Sequence, residues 1–180
     1  MPGVVALLRA VNVGNRRMKM ERLREVFEAQ KMRDVQTYLQ SGNVVFRTSS
    51  SDLVAVRRKL ESAIEKEFGF YSETILRTAE EMRAVVAGNP FAGREDVLPA
   101  KLLVHFLSGP PPDDAAMSLS VLKTDGEELR LDLLSLYVHY PNGVGVSKVG
   151  PRIDRTLRVA TTGRNWNSVT KLLEMAEQIS

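Results

Sequence analysis

Hydrophobic residues in the first 77 positions recur with strand-like and helix-like spacing in turn. Val4–Val11 is apolar on both of its alternating faces apart from Arg9, and this pattern is typical of a strand that is covered on both sides. Asp52 and Gly69 suit the two ends of a helix. The predicted elements are strands at Val4–Val11, Val35–Leu39, Val44–Arg47 and Thr74–Arg77 and helices at Met20–Gln30 and Leu53–Phe68. Their order, β-α-β-β-α-β, is that of a ferredoxin-like unit.

The rest of the chain repeats most of this order. A helix from Thr78 to Val86, with Glu81 placed for a capping box, completes the first half, and the loop 89–99 is the expected boundary. The later elements are strands at Leu102–Leu107, Leu129–Leu133 and Leu136–Tyr140 and helices at Ala115–Leu122, Ile153–Leu157 and from about Asn165 onwards. Helix is expected in place of a closing strand. The sequence thus predicts an α+β fold of two packed ferredoxin-like halves, 1–88 and 100–180, the second ending in helices, which together form one compact unit.

Two polar turns are predicted to meet at one end of the first sheet. The first and second strands of a ferredoxin-like unit run the same way, so the turn Asn12–Asn15 and the hairpin Gln40–Asn43 follow them at the same end. Gly42 supplies the positive φ that a tight hairpin needs. The side chains of Gln40, Ser41 and Asn43 donate and accept hydrogen bonds, but they include no strong acid, base or nucleophile.

The amino-acid composition indicates the cellular compartment and excludes some kinds of chemistry. The 180 residues contain no cysteine, which excludes disulfides, thiolate chemistry and cysteine-based metal sites. The first residues lack the basic segment of a signal peptide, and no apolar run approaches the ~18 residues that a membrane span needs. We therefore expect a cytoplasmic protein with no membrane partner. These features do not define its oligomeric state.

Positive charge is concentrated in two stretches, although the net charge is only +3. Solvated helix faces are the simpler interpretation of these clusters, and contact with a polyanion is the alternative. The residues are Arg9, Arg16, Arg17, Lys19, Arg22 and Arg24 near the start and Lys148, Arg152, Arg155, Arg158 and Arg164 near the end.

No group of residues predicts a catalytic or metal centre, and no cofactor is predicted. His105 and His139 are expected on strands without the third ligand that a metal site needs. Lys148 follows a glycine-rich loop that lacks the spacing of a phosphate-binding P-loop. Arg164 and Asn165 are expected to open the last helix, where they could hold an anion. Simple capping of that helix is the equal alternative.

Several short motifs occur in order along the chain: Leu7–Gly14, Lys19-Met20, Tyr38–Phe46, Arg77-Thr78, Asn89–Phe91 and Thr162–Trp166. Together they resemble the bacterial "domain of unknown function 1697" family. The resemblance spans nearly the whole chain and implies an α+β fold of two ferredoxin-like halves, but it brings no established activity or catalytic residue. This chain departs from the family at Ala10, where glycine is usual, which suggests a less close backbone approach there.

The leading hypothesis is a binding module for an anionic ligand, either a nucleotide-like metabolite or a nucleic-acid backbone. Arg9 and Arg16 would supply charge at the shared end of the first sheet. Base stacking is not expected, because the first strand has no aromatic residue. A Mg²⁺-dependent phosphate-handling enzyme and a structural or protein-interaction module are the alternatives. The candidate ligand-binding residues are Arg9, Asn12, Gly14, Asn15, Arg16, Lys19, Gln40, Ser41, Gly42, Asn43, Arg164 and Asn165.

Overall fold

The computed structural model describes all residues from Met1 to Ser180 and divides the chain into two compact units. The first unit comprises Met1–Ala84 and Lys171–Ser180, and the second comprises Val85–Thr170. Each unit holds one four-stranded antiparallel sheet. The last helix begins in the second unit and ends in the first.

The first unit has the predicted β-α-β-β-α-β order. Its sheet runs β2-β3-β1-β4, with every neighbouring pair antiparallel, and this is the ferredoxin-like arrangement. The elements are β1 (Gly3–Leu8), α1 (Met20–Ala29), β2 (Arg33–Tyr38), β3 (Asn43–Arg47), α2 (Leu53–Phe68) and β4 (Thr74–Thr78), followed by α3 (Ala79–Ala87).

The helix ends of the first unit form as their sequences predict. Asp52 accepts a hydrogen bond from the backbone of Ala55 at the start of α2, and Gly69 ends the helix with a φ of 76°. Thr78 and Glu81 bond reciprocally to each other's backbone N–H, at 2.8 and 3.1 Å, which is a complete capping box before α3. Leu23, Phe27, Leu60 and other apolar residues of α1 and α2 form a core with one face of the sheet.

The second unit has the same topology, with a sheet in the order β6-β7-β5-β8. Its elements are β5 (Leu102–Leu107), α4 (Ala115–Ser120), β6 (Glu128–Asp132), β7 (Ser135–His139), α5 (Ile153–Leu157) and β8 (Thr161–Asn165), followed by α6 (Trp166–Gln178). The expectation that helix replaces the closing strand is wrong, because β8 pairs with β5 along five residues. The strand was missed because its sequence, Thr-Thr-Gly-Arg-Asn, carries no apolar residue.

The two units use equivalent backbone contacts at the ends of their first strands. Leu8 N–H donates to the carbonyl of Gly42, and Leu107 N–H donates to that of Leu134, both at 2.9 Å. The next residue in each case bonds to the residue before the closing strand: Arg9 to Glu73 and Ser108 to Ala160. The halves therefore share a structural repeat that their sequences do not show.

The first strand is buried along its whole length, as its apolar pattern predicts. Val5 and Leu7, on the face away from the α1–α2 core, are less than 1% exposed. That the two halves pack against each other stays a prediction. None of the helices is both long and apolar enough to cross a lipid bilayer.

Candidate functional site

The two polar turns of the first unit lie side by side, as the topology predicts. The side-chain amide of Asn12 donates to the carbonyl of Gln40 at 2.7 Å and to that of Met18 at 3.0 Å. Its oxygen accepts a bond from the N–H of Met18 at 2.8 Å. Asn12 also adopts a positive φ of 56°, which asparagine tolerates better than most residues. Asn12 therefore ties the two turns together with its whole amide group.

Arg16 is held against the protein rather than extended into solvent. Val13 and Arg16 form a small antiparallel bridge around Gly14, which has a φ of 57°. The Arg16 guanidinium donates to the carbonyls of Ala10, at 2.7 Å, and of Tyr71. It also lies 4.4 Å from the centre of the Phe70 ring, in cation–π contact. These contacts lock the turn onto the segment before β4.

Asn43 and Gly42 shape the hairpin itself. Asn43 is fully buried, and its amide donates to the carbonyl of Tyr38 and to the hydroxyl of Ser41, both at 2.9 Å. Gly42 has a φ of 81°, and a Cβ atom there would lie 2.9 Å from the Cβ of Leu8. Glycine is therefore needed for two reasons, the backbone conformation and the close approach to β1.

Arg9 forms an ion pair with Glu73 at 3.3 Å, and both side chains are about a third exposed or less. Its carbonyl accepts a bond from the hydroxyl of Ser72 at 2.7 Å. Gly14, Asn15, Gln40 and Ser41 lie at the surface around this end of the sheet. The first unit therefore brings ten of the twelve candidate residues into two adjoining turns and the strand ends beside them.

An open groove of about 520 Å³ lies beside these turns. Arg17 and Lys19 are exposed on its wall, and neither side chain has an ion pair or hydrogen bond. The groove is lined by Asn12, Arg17, Met18, Lys19, Arg22, Gln40 and Phe68. No carboxylate is part of this lining, so the groove presents three cations beside an amide and the edge of an aromatic ring.

Arg22 differs from the other two cations of the groove, because it lies between Glu67 and Glu25 at 2.5 Å from each. The hydrogen bonds that Arg22 donates to these carboxylates raise its pKa above its usual range. The bond from Arg22 in turn lowers the pKa of Glu67. Arg22 is thus a fixed charge, whereas Arg17 and Lys19 are able to turn toward a ligand.

The candidate set from the sequence omits four residues of this groove, Arg17, Met18, Arg22 and Phe68. Arg17 and Arg22 belong to the basic cluster near the start of the chain, which was interpreted as a solvated helix face. Their place on a groove depends on the path of the loop before α1. Phe68 is the last residue of the predicted helix Leu53–Phe68, and no sequence signal marks its half-exposed edge.

Arg164 and Asn165 lie in the second unit, and Arg164 does not open the last helix as expected. Arg164 is buried in β8 and donates to the hydroxyl of Thr162 at 2.7 Å and to the carbonyl of Gly163 at 2.9 Å. Burial lowers the pKa of Arg164 to about 10. Asn165 accepts a bond from the N–H of Ser168, which is the capping alternative.

Arg77 occupies the equivalent position of the first unit. Each arginine is the fourth residue of its closing strand, and each donates to the carbonyl of the preceding residue at 2.9 Å. Burial lowers the pKa of Arg77 as well. The repeat of this buried arginine was not visible from the sequence, because only the register of the two sheets aligns the strands.

The histidines of the second unit are packed, in line with the sequence interpretation. His105 lies within β5 and bonds through Nε2 to the hydroxyl of Tyr140 at 2.9 Å. Burial lowers the pKa of His105 to about 4. His139 is buried in β7 beside the ring of Phe91. No group of three or more histidine, aspartate or glutamate residues is arranged to hold a metal ion.

The glycine-rich loop of the second unit lines a smaller cavity of about 360 Å³. Lys123, Lys148 and Arg152 face this cavity, but so do Asp125 and Glu127. The Glu127 carboxylate accepts bonds from Ser147 at 2.7 Å and from the backbone of Asp125. Mixed charge makes this cavity a weaker anion site than the groove of the first unit.

Solved structures and known protein families were compared with this chain. The chain resembles a solved structure described as the conserved bacterial protein SP0830 from Streptococcus pneumoniae, with a TM-score of 0.79 and 22% sequence identity over 98% of this chain and 99% of that one. At that identity the likeness shows a shared α+β fold. Residues 1–137 match the family described as "Protein of unknown function (DUF1697)", and the chain belongs to this family. No curated protein is similar enough to count as a relative.

Proposed function

We propose that the first unit binds a phosphate-bearing anion in the groove beside its polar turns. The observation that carries this proposal is the pair of exposed cations, Arg17 and Lys19, which have no partner in the protein and line a groove without carboxylates. Lysine and arginine side chains bind phosphate through charge-assisted hydrogen bonds. The Gln40 side chain, exposed on the same groove, would add a directional bond.

The contacts of the first unit divide the candidate residues by role. Three of the candidate side chains, those of Asn12, Arg16 and Asn43, donate hydrogen bonds to carbonyls or to a hydroxyl within the protein. We therefore assign them a structural role in the two turns. Arg17, Lys19 and Gln40 are left for the ligand. Phe68 offers an apolar edge that would suit a nucleoside base. The ligand class is therefore a nucleotide-like metabolite or a nucleic-acid backbone, and a cytoplasmic location stays a prediction.

The test uses the whole chain and three probes: pyrophosphate, ADP and a fluorescein-labelled single-stranded RNA of uridines. Thermal shift and fluorescence anisotropy would compare the wild type with Arg17→Ala and Lys19→Ala, with and without Mg²⁺. Each substitution should weaken binding about tenfold or more, since a hydrogen bond to a charged group contributes ~1.5–3 kcal/mol. Arg58→Ala is the matched control, because Arg58 is an exposed cation about 15 Å along α2 before Phe68.

The pattern of probes separates the two ligand sources. ADP or pyrophosphate binding that resists salt would identify a small metabolite, whereas RNA binding that weakens steeply with salt would identify a nucleic-acid backbone. For RNA, each lost phosphate contact should lower the slope of log K against log salt by about 0.7. The proposal fails if no probe binds, or if Arg17→Ala and Lys19→Ala bind as well as Arg58→Ala.

A further inference from the structure

The two sheets differ at their exposed edges, although their topology is the same. At the edge of the first sheet, the pairing of β2 with β3 is interrupted between Arg33 and Gln36, and Asp34 has a positive φ of 51°. Bulges and charges of this kind prevent another strand from adding to an edge. The edge strand of the second sheet, β6, pairs with β7 without interruption along five residues. This edge has neither a bulge nor a residue of positive φ, and its charged residues, Glu128, Arg130 and Asp132, are of both signs.

The β6 edge also has apolar and charged residues in strict alternation. Leu129 and Leu131 face the helix side of the sheet and pack against the core of the second unit. Leu133, which follows the strand, is 83% exposed. A mainly apolar cavity of about 420 Å³ flanks the strand and is lined by Leu131 and Leu133. An exposed leucine beside an open apolar cavity indicates a surface that is covered by a partner.

We propose that β6 pairs antiparallel with β6 of a second copy of this chain, about a two-fold axis at Leu131. In this register Arg130 lies opposite Asp132 of the second copy, twice by symmetry, and Leu129 lies near Leu133, which belongs to the turn after the strand and has a φ of 51°. Opposite charges directly across two strands stabilise the pair, and like charges destabilise it. The pairing would join the two sheets of the second units into one and satisfy the free backbone groups of both edges.

The charged residues of β6 favour this register over the registers whose two-fold axis is shifted by one or two residues. An axis at Arg130 would place two arginines opposite each other. An axis at Leu129 would pair Arg130 with Glu128, but Glu128 is already held by Arg94 at 2.8 Å. It would also leave Leu133 exposed. Asp132, by contrast, has no ion-pair partner within the chain.

A charge-swap experiment tests the pairing through the mass of the full-length protein by analytical ultracentrifugation across a concentration series. The wild type should sediment as a reversible dimer. Arg130→Asp alone and Asp132→Arg alone should each raise the dissociation constant about tenfold, since each creates two like-charge contacts. The double substitution should restore the dimer. Val121→Asp, at another exposed apolar residue of this unit, is the control and should leave the dimer intact.

Cysteine cross-linking tests the register, because the chain has no cysteine of its own. Leu131→Cys should form a disulfide-linked dimer on mild oxidation, since residues at the axis of an antiparallel pair have Cα atoms about 4.5–5.5 Å apart. Leu129→Cys should not cross-link, because its two copies would lie about 13 Å apart. A wild type that stays monomeric, a dimer unaffected by the single charge changes, or cross-linking through Leu129→Cys instead would overturn the proposal. The inference is independent of the proposed anion binding.

Discussion

Replacing Gly42 by alanine tests the closeness of the hairpin to the first strand. Gly42 has a φ of 81°, and an added Cβ would lie 2.9 Å from the Cβ of Leu8 and 3.3 Å from a methyl group of Val11. Both neighbours are buried in the core, and the contacting atoms are the Cβ of Leu8 and the β-branched side chain of Val11, which have little freedom to move away. The left-handed backbone costs ~1–2 kcal/mol for alanine. Overpacking adds ~1–3 kcal/mol, so the free energy of unfolding should fall by about 2–5 kcal/mol.

Gly69→Ala provides the matched control for this substitution. Gly69 has a similar φ of 76°, but a Cβ there would meet nothing within 4 Å. Its replacement should cost only the backbone contribution, ~1–2 kcal/mol. The loss of unfolded-state entropy that alanine brings is the same at both sites and cancels in the comparison. The difference between the two variants, about 1–3 kcal/mol, therefore isolates the steric contact.

Urea unfolding followed by circular dichroism measures both variants. The midpoint should fall further for Gly42→Ala than for Gly69→Ala, with the slope m checked for each, because two compact units need not unfold in a single step. Equal losses for the two variants would show that the hairpin has room at Gly42. The close contact between the turn at Gly42 and Leu8 of β1 would then be wrong.

Three further changes test other parts of the structure by the same unfolding assay. Asn12→Ala should destabilise by about 2–4 kcal/mol, because three hydrogen bonds and a residue that tolerates positive φ are lost; a loss below 1 kcal/mol would contradict its bridging role. Ala10→Gly should be neutral or stabilising by up to about 1 kcal/mol, since Ala10 has a φ of 52°; ordinary destabilisation would contradict that conformation. His105 stays neutral in the fold with a pKa of about 4, below the ~6.5 of an unfolded histidine, so its contribution is present above pH 6.5 and lost as pH falls. Between pH 6.5 and 5 the free energy of unfolding of the wild type should fall by about 1.5 kcal/mol more than that of His105→Gln, and parallel pH profiles would refute this.

Hydrophobic spacing and capping residues were enough to predict most elements. The strand Leu102–Leu107 and the helix Ile153–Leu157 occur with the predicted bounds, and the capping box at Thr78 forms as expected. These features depend on neighbours within a few residues in the sequence. The strand Thr161–Asn165 was missed because it has no apolar pattern, and its place depends on pairing with a strand over fifty residues earlier.

The candidate site shows the same division between local and long-range information. The meeting of the Asn12 and Gln40 turns followed from topology, and the structure confirms it through a hydrogen bond. The topology did not predict the direction in which each side chain of the turns points. Arg16 turns onto Phe70 and two carbonyls, whereas Arg17, its neighbour in the chain, remains exposed beside the groove. Only the folded path of the loop distinguishes these two arginines.

The proposed binding of phosphate-bearing anions beside the two polar turns of the first unit can be followed residue by residue. The most direct measurement is an NMR titration of the ¹⁵N-labelled full-length chain with pyrophosphate and then with the single-stranded RNA, following each assigned backbone amide. We expect saturable shifts centred on Arg17, Lys19 and Gln40, and the same titration of Lys19→Ala should show weaker binding. Shifts centred on the loop around Lys148, or no saturable shift with either probe, would contradict the claim.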